Sequence, residues 1–339
     1  MNEYTAKDFK KGQPRWCPGC GDHFFLASLH KAMAELGVAP HDTAVISGIG
    51  CSSRLPYYMN TYYMNTYAMQ TVHGRAAAIS TGCKVANPKI TVWQISGDGD
   101  GLAIGGNHFI HAVRRNIDLN MILLNNRIYG LTKGQYSPTS PRGFVSKSSP
   151  YGTVEDPFHP AELCFGARGR FFARAVATDG PGTVEILKAA ANHKGAAVCE
   201  ILQNCVIFND GTHESVYTKE GRSKNAIYLE HGKPMLFGVD KEYGLMQEGF
   251  GLKVVKLGEN GVTEKDILVH DAHCMDNTLQ LKLALMEGPD FPVALGVIRD
   301  VEAPTYDDAV NAQIEEVAAK KKYHNFQELL MTNDIWEVK

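Results

Sequence analysis

The sequence predicts a doubly wound α/β fold on a mainly parallel sheet, and three observations predict it. Strand and helix patterns alternate along the chain through Leu202. One apolar run, Ile90 to Ile95, leads into Gly97-Asp98-Gly99, and the next, Met121 to Leu124, ends at Asn125-Asn126. The 25 residues from 100 to 124 are what one helix and a returning parallel strand need, so both tips fall at the same sheet edge.

Taken in order, the first helix is expected over Phe24 to Leu36 and the first strand over the short apolar run Thr43 to Ser47. A helix over Arg75 to Ala86 then returns the chain to a strand over Ile90 to Ser96. Leu102 to Arg115 is the next helix and Leu119 to Leu124 the next strand. The loop from Gly130 to Tyr151 carries Pro138, Pro141 and Pro150 among many Ser and Thr, so it is long and irregular, as functional loops often are. Helices over Pro160 to Phe165 and Gly182 to His193 alternate with strands over Phe171 to Ala177 and Ala196 to Leu202. Beyond about Asn209 the pattern weakens. Pro234 to Val239 and Leu252 to Lys256 are expected to pair as short strands, Pro292 to Ile298 is another strand, and Tyr306 to Met331 is a helical tail suited to wrapping a partner. Residues 1–210 therefore form the expected main domain and 211–339 a C-terminal extension.

At 339 residues, with 44% hydrophobic and 21% charged residues, the chain can bury one large core or two modest ones. Eight cysteines without a signal peptide point to reduced thiols and a cytoplasmic setting. No apolar run is long enough to span a membrane. A net charge of −3 offers no basic footprint for nucleic acid, and Lys320-Lys321-Lys322 complements the dipole of the helix it closes.

The shared edge has a definite chemistry. Beyond Gly97-Asp98-Gly99 and Asp100 a helix begins, so free N–H groups and a positive dipole face a ligand, and a diphosphate fits. Asp98 offers a carboxylate oxygen, Asn126 a side-chain carbonyl and Ile128 a main-chain carbonyl. With phosphate oxygens and water these donors complete a magnesium octahedron. Isolated Gly-Asp-Gly and Asn-Asn are ordinary turn residues, but their placement at two strand ends matches the thiamine diphosphate motif.

Cysteines form a second constellation. Cys17-Pro18-Gly19-Cys20 lets two thiolates reach one metal or cluster, its glycine permitting the tight turn. Structural zinc, a redox dithiol and an iron–sulfur cluster all use this spacing. Cys51 and Cys205 each follow a strand and lie where the diphosphate motifs lie. Cys199 falls inside a strand as a core residue, and Cys83, Cys164 and Cys274 are expected to be buried thiols.

Together Cys17-Pro18-Gly19-Cys20-Gly21, Ser47 to Arg54, His73-Gly74-Arg75, Gly97 to Asp100, Gly105 to His108 and Asn125 to Thr139 resemble the beta subunit of 2-oxoacid:ferredoxin oxidoreductases, in the branch that acts on 2-oxoglutarate. The resemblance covers about residues 12 to 210. It implies a fold of the thiamine diphosphate-binding type. It also implies a 4Fe-4S cluster on Cys17, Cys20, Cys51 and Cys205, and magnesium on Asp98, Asn126 and the Ile128 carbonyl. Thiamine diphosphate would lie against Ile49, Gly50, Cys51, Ser52, His73, Gly97, Asp98, Gly99, Asp100, Asn126, Ile128, Tyr129, Gly130 and Leu131. The implied partners are an alpha subunit bringing the pyrimidine-binding domain, in a heterodimer or a dimer of heterodimers, and ferredoxin. The implied reaction is a reversible oxidative decarboxylation of the 2-oxoacid to its coenzyme A thioester.

His73 is placed to donate to a substrate carboxylate or to the oxyanion formed on attack, and Arg75 or Lys133 to pair with the second carboxylate of 2-oxoglutarate. Three alternatives stay open: pyruvate or a branched-chain 2-oxoacid as substrate, a non-redox thiamine enzyme whose cysteines hold zinc or nothing, and a noncatalytic zinc-stapled subunit. One departure from the family pattern is an apparent five-residue duplication, Tyr57-Tyr58-Met59-Asn60-Thr61 followed by Tyr62-Tyr63-Met64-Asn65-Thr66, expected to bulge outward as surface insertions do.

Overall fold

The computed structural model describes residues 4–59, 66–332, 334–336 and 338. Apart from short 3₁₀ turns, its first half contains α1 (Gly21–Leu36), β1 (Thr43–Ser47), β2 (Tyr67–Gln70), α2 (Ala76–Ala86), β3 (Thr91–Gly97), α3 (Asp98–Leu102), α4 (Gly106–Arg114), β4 (Leu119–Asn125), α5 (Pro160–Gly166) and β5 (Phe171–Val176). Its second half contains α6 (Gly180–Asn192), β6 (Ala196–Leu202), α7 (Glu214–Tyr217), α8 (Lys219–Asn225), β7 (Ala226–Leu229), β8 (Leu236–Phe237), β9 (Tyr243–Glu248), β10 (Gly251–Lys256), α9 (Thr278–Ala284), β11 (Val293–Asp300), α10 (Tyr306–Ala319) and α11 (Phe326–Leu330).

An eight-stranded sheet in the order β2-β1-β3-β4-β6-β5-β11-β7 forms the spine. Its pairs are parallel except β11 on β5. Side chains of a strand alternate between the two faces, so the inner strands must be apolar throughout to be covered on both sides. On one face Met121 and Leu123 of β4, Val198 of β6 and Phe172 of β5 pack with Phe109 of α4, Cys164 of α5 and Leu283 of α9. On the other, Ile122 and Leu124 of β4, Ile201 of β6 and Phe171 of β5 pack with Phe25 and Leu29 of α1 and Leu187 of α6. Each large side chain so buried contributes about 1.5–3 kcal/mol.

The strands of the main domain lie within a residue of their expected bounds. Several features differ from expectation. The helix expected over Leu102 to Arg115 starts at Asp98 and breaks between Leu102 and Gly106. The break brings Gly105 against Gly74: a Cβ on Gly74 would lie 2.5 Å from the Gly105 nitrogen, and one on Gly105 would lie 2.5 Å from the Asp100 carbonyl oxygen. β8 and β10 do not pair with each other, because β9 lies between them and takes both as antiparallel neighbours. The tail is interrupted, with α10 ending at Ala319 and α11 starting at Phe326. Lastly, β7 and β11 lie beyond residue 210 yet extend the main sheet, so that sheet runs across the expected division at 210.

Edge strand β2 was not expected, and it follows the apparent duplication, most of which (residues 60–65) lies outside the described residues. Among the described residues no helix is long and apolar enough to cross a membrane. All eight cysteines are free; Cys164 and Cys199 are buried as expected, whereas Cys83 and Cys274 are only half-buried.

Candidate active site

The carboxyl ends of β1, β3 and β4, neighbours in the sheet, deliver three loops to one cavity of about 560 Å³. Ile49, Gly50, Cys51 and Ser52 come from the first loop, Gly97 to Asp100 from the second, and Asn126 with Ile128 to Leu131 from the third. His73, which follows β2, completes the expected set, and all of these residues line the one cavity.

Each loop is shaped by an identifiable contact. Asp100 accepts hydrogen bonds from the Gly74 N–H (2.8 Å) and the Ile49 N–H (3.2 Å), tying the β1 and β2 loops to α3. A Cβ on Gly48 would lie 1.8 Å from the Asp100 carboxylate, so this approach needs glycine. Tyr129 donates its hydroxyl to the Gly99 carbonyl at 2.9 Å, and a Cβ on Gly99 would strike the Tyr129 ring. The Asn126 side-chain oxygen accepts the Ile128 N–H at 3.1 Å, while Asn209 donates to the main-chain oxygens of Asn126 (3.0 Å) and Arg127 (3.2 Å). That turn holds Arg127 at φ 55°.

Asp98 is fully buried, and both hydroxyls that reach it fall on one oxygen: Ser137 donates to Oδ2 at 2.5 Å and Thr139 at 2.6 Å. Burial pushes its pKa up, against the pull of these two hydroxyls. The donor chemistry is that of a hard cation, with a carboxylate, an amide oxygen and a carbonyl offered at one end of a cavity of small-molecule size. Thiamine diphosphate with magnesium therefore fits the residues present.

A smaller cavity of about 160 Å³ adjoins the first and is ringed by Cys17, Cys20, Cys51 and Cys205. Gly19 at φ 81° makes the turn between the first two, and Cys20 opens α1. Trp16 donates its indole N–H to the Cys51 carbonyl at 2.7 Å, and Gln203 donates its amide to the Cys20 sulfur at 3.3 Å. Burial, and then the neighbouring Asp22, pushes the Cys51 thiol up to about 11. Gly130 sits between two of the thiols, since a Cβ there would lie 3.4 Å from the Cys205 sulfur and 3.7 Å from that of Cys51. Among the described residues no three His, Cys, Asp or Glu side chains lie close enough together to hold a single metal ion. Four thiols spaced around a cavity suit a cluster, whose iron atoms are themselves spread over a cube.

The three residues expected to act on substrate are separated. His73 lines the larger cavity. Arg75 does not, because it caps α2 and its guanidinium lies against His108. Lys133, held at φ 76° in the turn after Gly130, lines the thiol cavity instead. Sequence reasoning missed Asp22, Ile104, Leu124, Thr132 and Gln135 on the cavity wall, as well as Ser137 and Thr139 behind it. Asp22, buried on α1 with its pKa pushed up to about 7 by burial, follows the Cys-x-x-Cys by two residues and was the one legible signal.

The chain is similar to known proteins. Residues 48–201 match a family described as thiamine pyrophosphate enzyme, C-terminal TPP binding domain. The chain is 46% identical over 337 residues to the 2-oxoglutarate oxidoreductase subunit KorB of Mycobacterium tuberculosis, covering 98% of this chain and 88% of that one. It is 40% identical over 250 residues to the 2-oxoglutarate synthase subunit KorB of Archaeoglobus fulgidus, covering 71% and 89%. A solved 2-oxoglutarate:ferredoxin oxidoreductase from Magnetococcus marinus, with 2-oxoglutarate, coenzyme A and succinyl-CoA bound, superposes with a TM-score of 0.77 at 31% identity over 98% of both chains. With its diphosphate-edge motifs and ring of thiols in place, the chain belongs to the beta subunits of the 2-oxoacid:ferredoxin oxidoreductases, in the 2-oxoglutarate branch.

Proposed function

We propose that the chain, with an alpha subunit, catalyses the reversible oxidative decarboxylation of 2-oxoglutarate with coenzyme A to succinyl-CoA and CO2, passing the electrons to ferredoxin. The observation that carries this reading is a shared wall: Cys51, Asn126, Gly130 and Leu131 line both the larger cavity and the thiol cavity. A redox cluster so close to the reacting cofactor drains electrons directly, a placement that a non-redox thiamine enzyme has no use for.

Bound there, thiamine diphosphate supplies the carbon nucleophile and the electron sink for decarboxylation, and a 4Fe-4S cluster takes electrons one at a time. The protein's own part is positional. Asp98, Asn126 and the Ile128 carbonyl would hold magnesium, and Cys17, Cys20, Cys51 and Cys205 would hold the cluster. His73, at the rim, donates to the substrate oxygen that gains charge. Arg75 and Lys133 do not line this cavity, so neither meets the second carboxylate of 2-oxoglutarate there. Ile104 and Leu131 line the cavity but remain exposed, an apolar rim for that subunit's pyrimidine-binding domain to cover.

Anaerobic co-purification with the alpha subunit tests the proposal. The complex should show a broad absorption shoulder at roughly 400 nm from iron–sulfur charge transfer. It should also reduce ferredoxin or a one-electron dye with 2-oxoglutarate only when coenzyme A is present. Faster turnover of pyruvate would move the substrate assignment, and a colourless, dye-inactive complex that still decarboxylates would replace the redox reading.

A further inference from the structure

We propose that Ser137 and Thr139 are positioning residues for magnesium, holding Asp98 so that a single carboxylate oxygen faces the ion, with Asn125, Glu200 and Arg174 anchoring them from behind. This rests on the thiamine diphosphate–magnesium reading above and adds to it residues that are not themselves among the magnesium donors. A carboxylate can present either oxygen by rotation about its last side-chain bond. Here both hydroxyls hold Oδ2 and neither touches Oδ1, so Oδ1 is the oxygen left for a cation.

The clamp is itself anchored. The Thr139 hydroxyl shares its one proton between Asp98 Oδ2 and Asn125 Oδ1, the latter at 2.9 Å, Asn125 Nδ2 donates to Glu200 Oε1 at 2.7 Å, and Arg174 Nε donates to Glu200 Oε2 at 2.7 Å. All five side chains are buried. The same loop segment also reaches the other magnesium donors. Ser140 donates to the Arg127 carbonyl at 2.6 Å, in the turn that presents Asn126 and Ile128, and accepts the Ser137 N–H at 2.8 Å. Residues 137–140 thus brace both halves of the donor set against each other. Outer-shell partners of this kind orient metal ligands, and removing one typically weakens metal binding by about 10–100-fold.

The test uses the complex with the alpha subunit, stripped of magnesium and thiamine diphosphate by chelation. Magnesium is titrated at fixed thiamine diphosphate, with bound cofactor followed by tryptophan fluorescence. Thr139→Val and Ser137→Ala should each raise the half-saturating magnesium concentration about 10–100-fold. Thr139→Ser, which restores the hydroxyl, should return it to the wild-type value, with the melting temperature and iron–sulfur absorbance unchanged in all three. If Thr139→Val fails to fold, Ser137→Ala decides. Wild-type magnesium dependence in a folded Thr139→Val or Ser137→Ala variant would overturn the proposal. Failure of the unmodified complex to take up thiamine diphosphate with magnesium would instead overturn the cofactor reading beneath it.

Discussion

Asp98 and Asp100 stand two residues apart and do different work. The Asp98 carboxylate is held by two hydroxyls beside the cavity, whereas Asp100 uses one oxygen on the N–H groups of Ile49 and Gly74. From the motif alone both were cofactor residues; Asp100 does line the cavity, but the contacts that define it are those of a brace between loops. The cysteines are a second case at this scale. Cys17 is exposed and Cys20 buried, so the first thiol of the pair can be removed without opening the core. Cys17→Ala should therefore abolish dye reduction and bleach the iron–sulfur absorption while thiamine diphosphate binding stays near wild type. Equal loss of both, measured on the same preparation, would make the cysteines structural.

Among elements, α2 and β4 are joined by a buried charge. Lys84, 5% exposed, pairs with Asp118 at 2.7 Å and donates to the Ile90 carbonyl at 3.0 Å, and Asp118 also accepts the Gly195 N–H at 3.2 Å. Asp118, 20% exposed, also pairs with Lys194 at 3.3 Å, so losing Lys84 takes one of its two cations and leaves the Ile90 carbonyl short of a donor. Lys84→Ala should destabilise the chain by about 2 kcal/mol in urea unfolding, less than for a pair with no second partner; a loss below about 1 kcal/mol would class the pair with exposed ones. The break between α3 and α4 belongs to this scale as well. Periodicity ran straight through it, because nothing local to residues 102–106 announces that Gly74, some thirty residues earlier, must pack there. The order of β8, β9 and β10 was missed for a similar reason: two apolar stretches were visible, but the half-exposed strand between them was not.

For the molecule as a whole, two buried histidines weaken the fold toward acid, against Asp22, Asp98 and Asp100, whose carboxyls burial holds above the usual range. His213 is buried, its pKa pushed down to about 3 by burial and then by Arg127, and burial with Lys10 pushes that of His30 down to about 4. Both are neutral in the folded chain but take up a proton near pH 6.5 when unfolded. The unfolded state thus binds more protons between pH 6.5 and these folded values. The stabilisation is complete above pH 6.5 and is lost as pH falls toward 4 and then 3, at about 1.4 kcal/mol per unit for each group. Between pH 7.5 and 4.5 the urea midpoint of the wild-type chain should fall relative to that of His213→Gln, a difference in which the opposing carboxylates cancel. The same pH dependence in both would refute the assignment.

The parallel sheet, the shared edge of β3 and β4 and much of the cavity wall there were legible in the sequence, because strand period, glycine turns and loop length are local quantities. Cys51 and Cys205 stood apart from the other thiols, since each lies just beyond a strand. That Arg75 and Lys133 do not line the cavity, that β7 and β11 extend the sheet, and that Ser137 and Thr139 clamp Asp98 came from the folded arrangement alone. Those outcomes depend on which distant segments meet, and a hydroxyl in a polar loop carries no mark of the carboxylate it will find once the chain has closed.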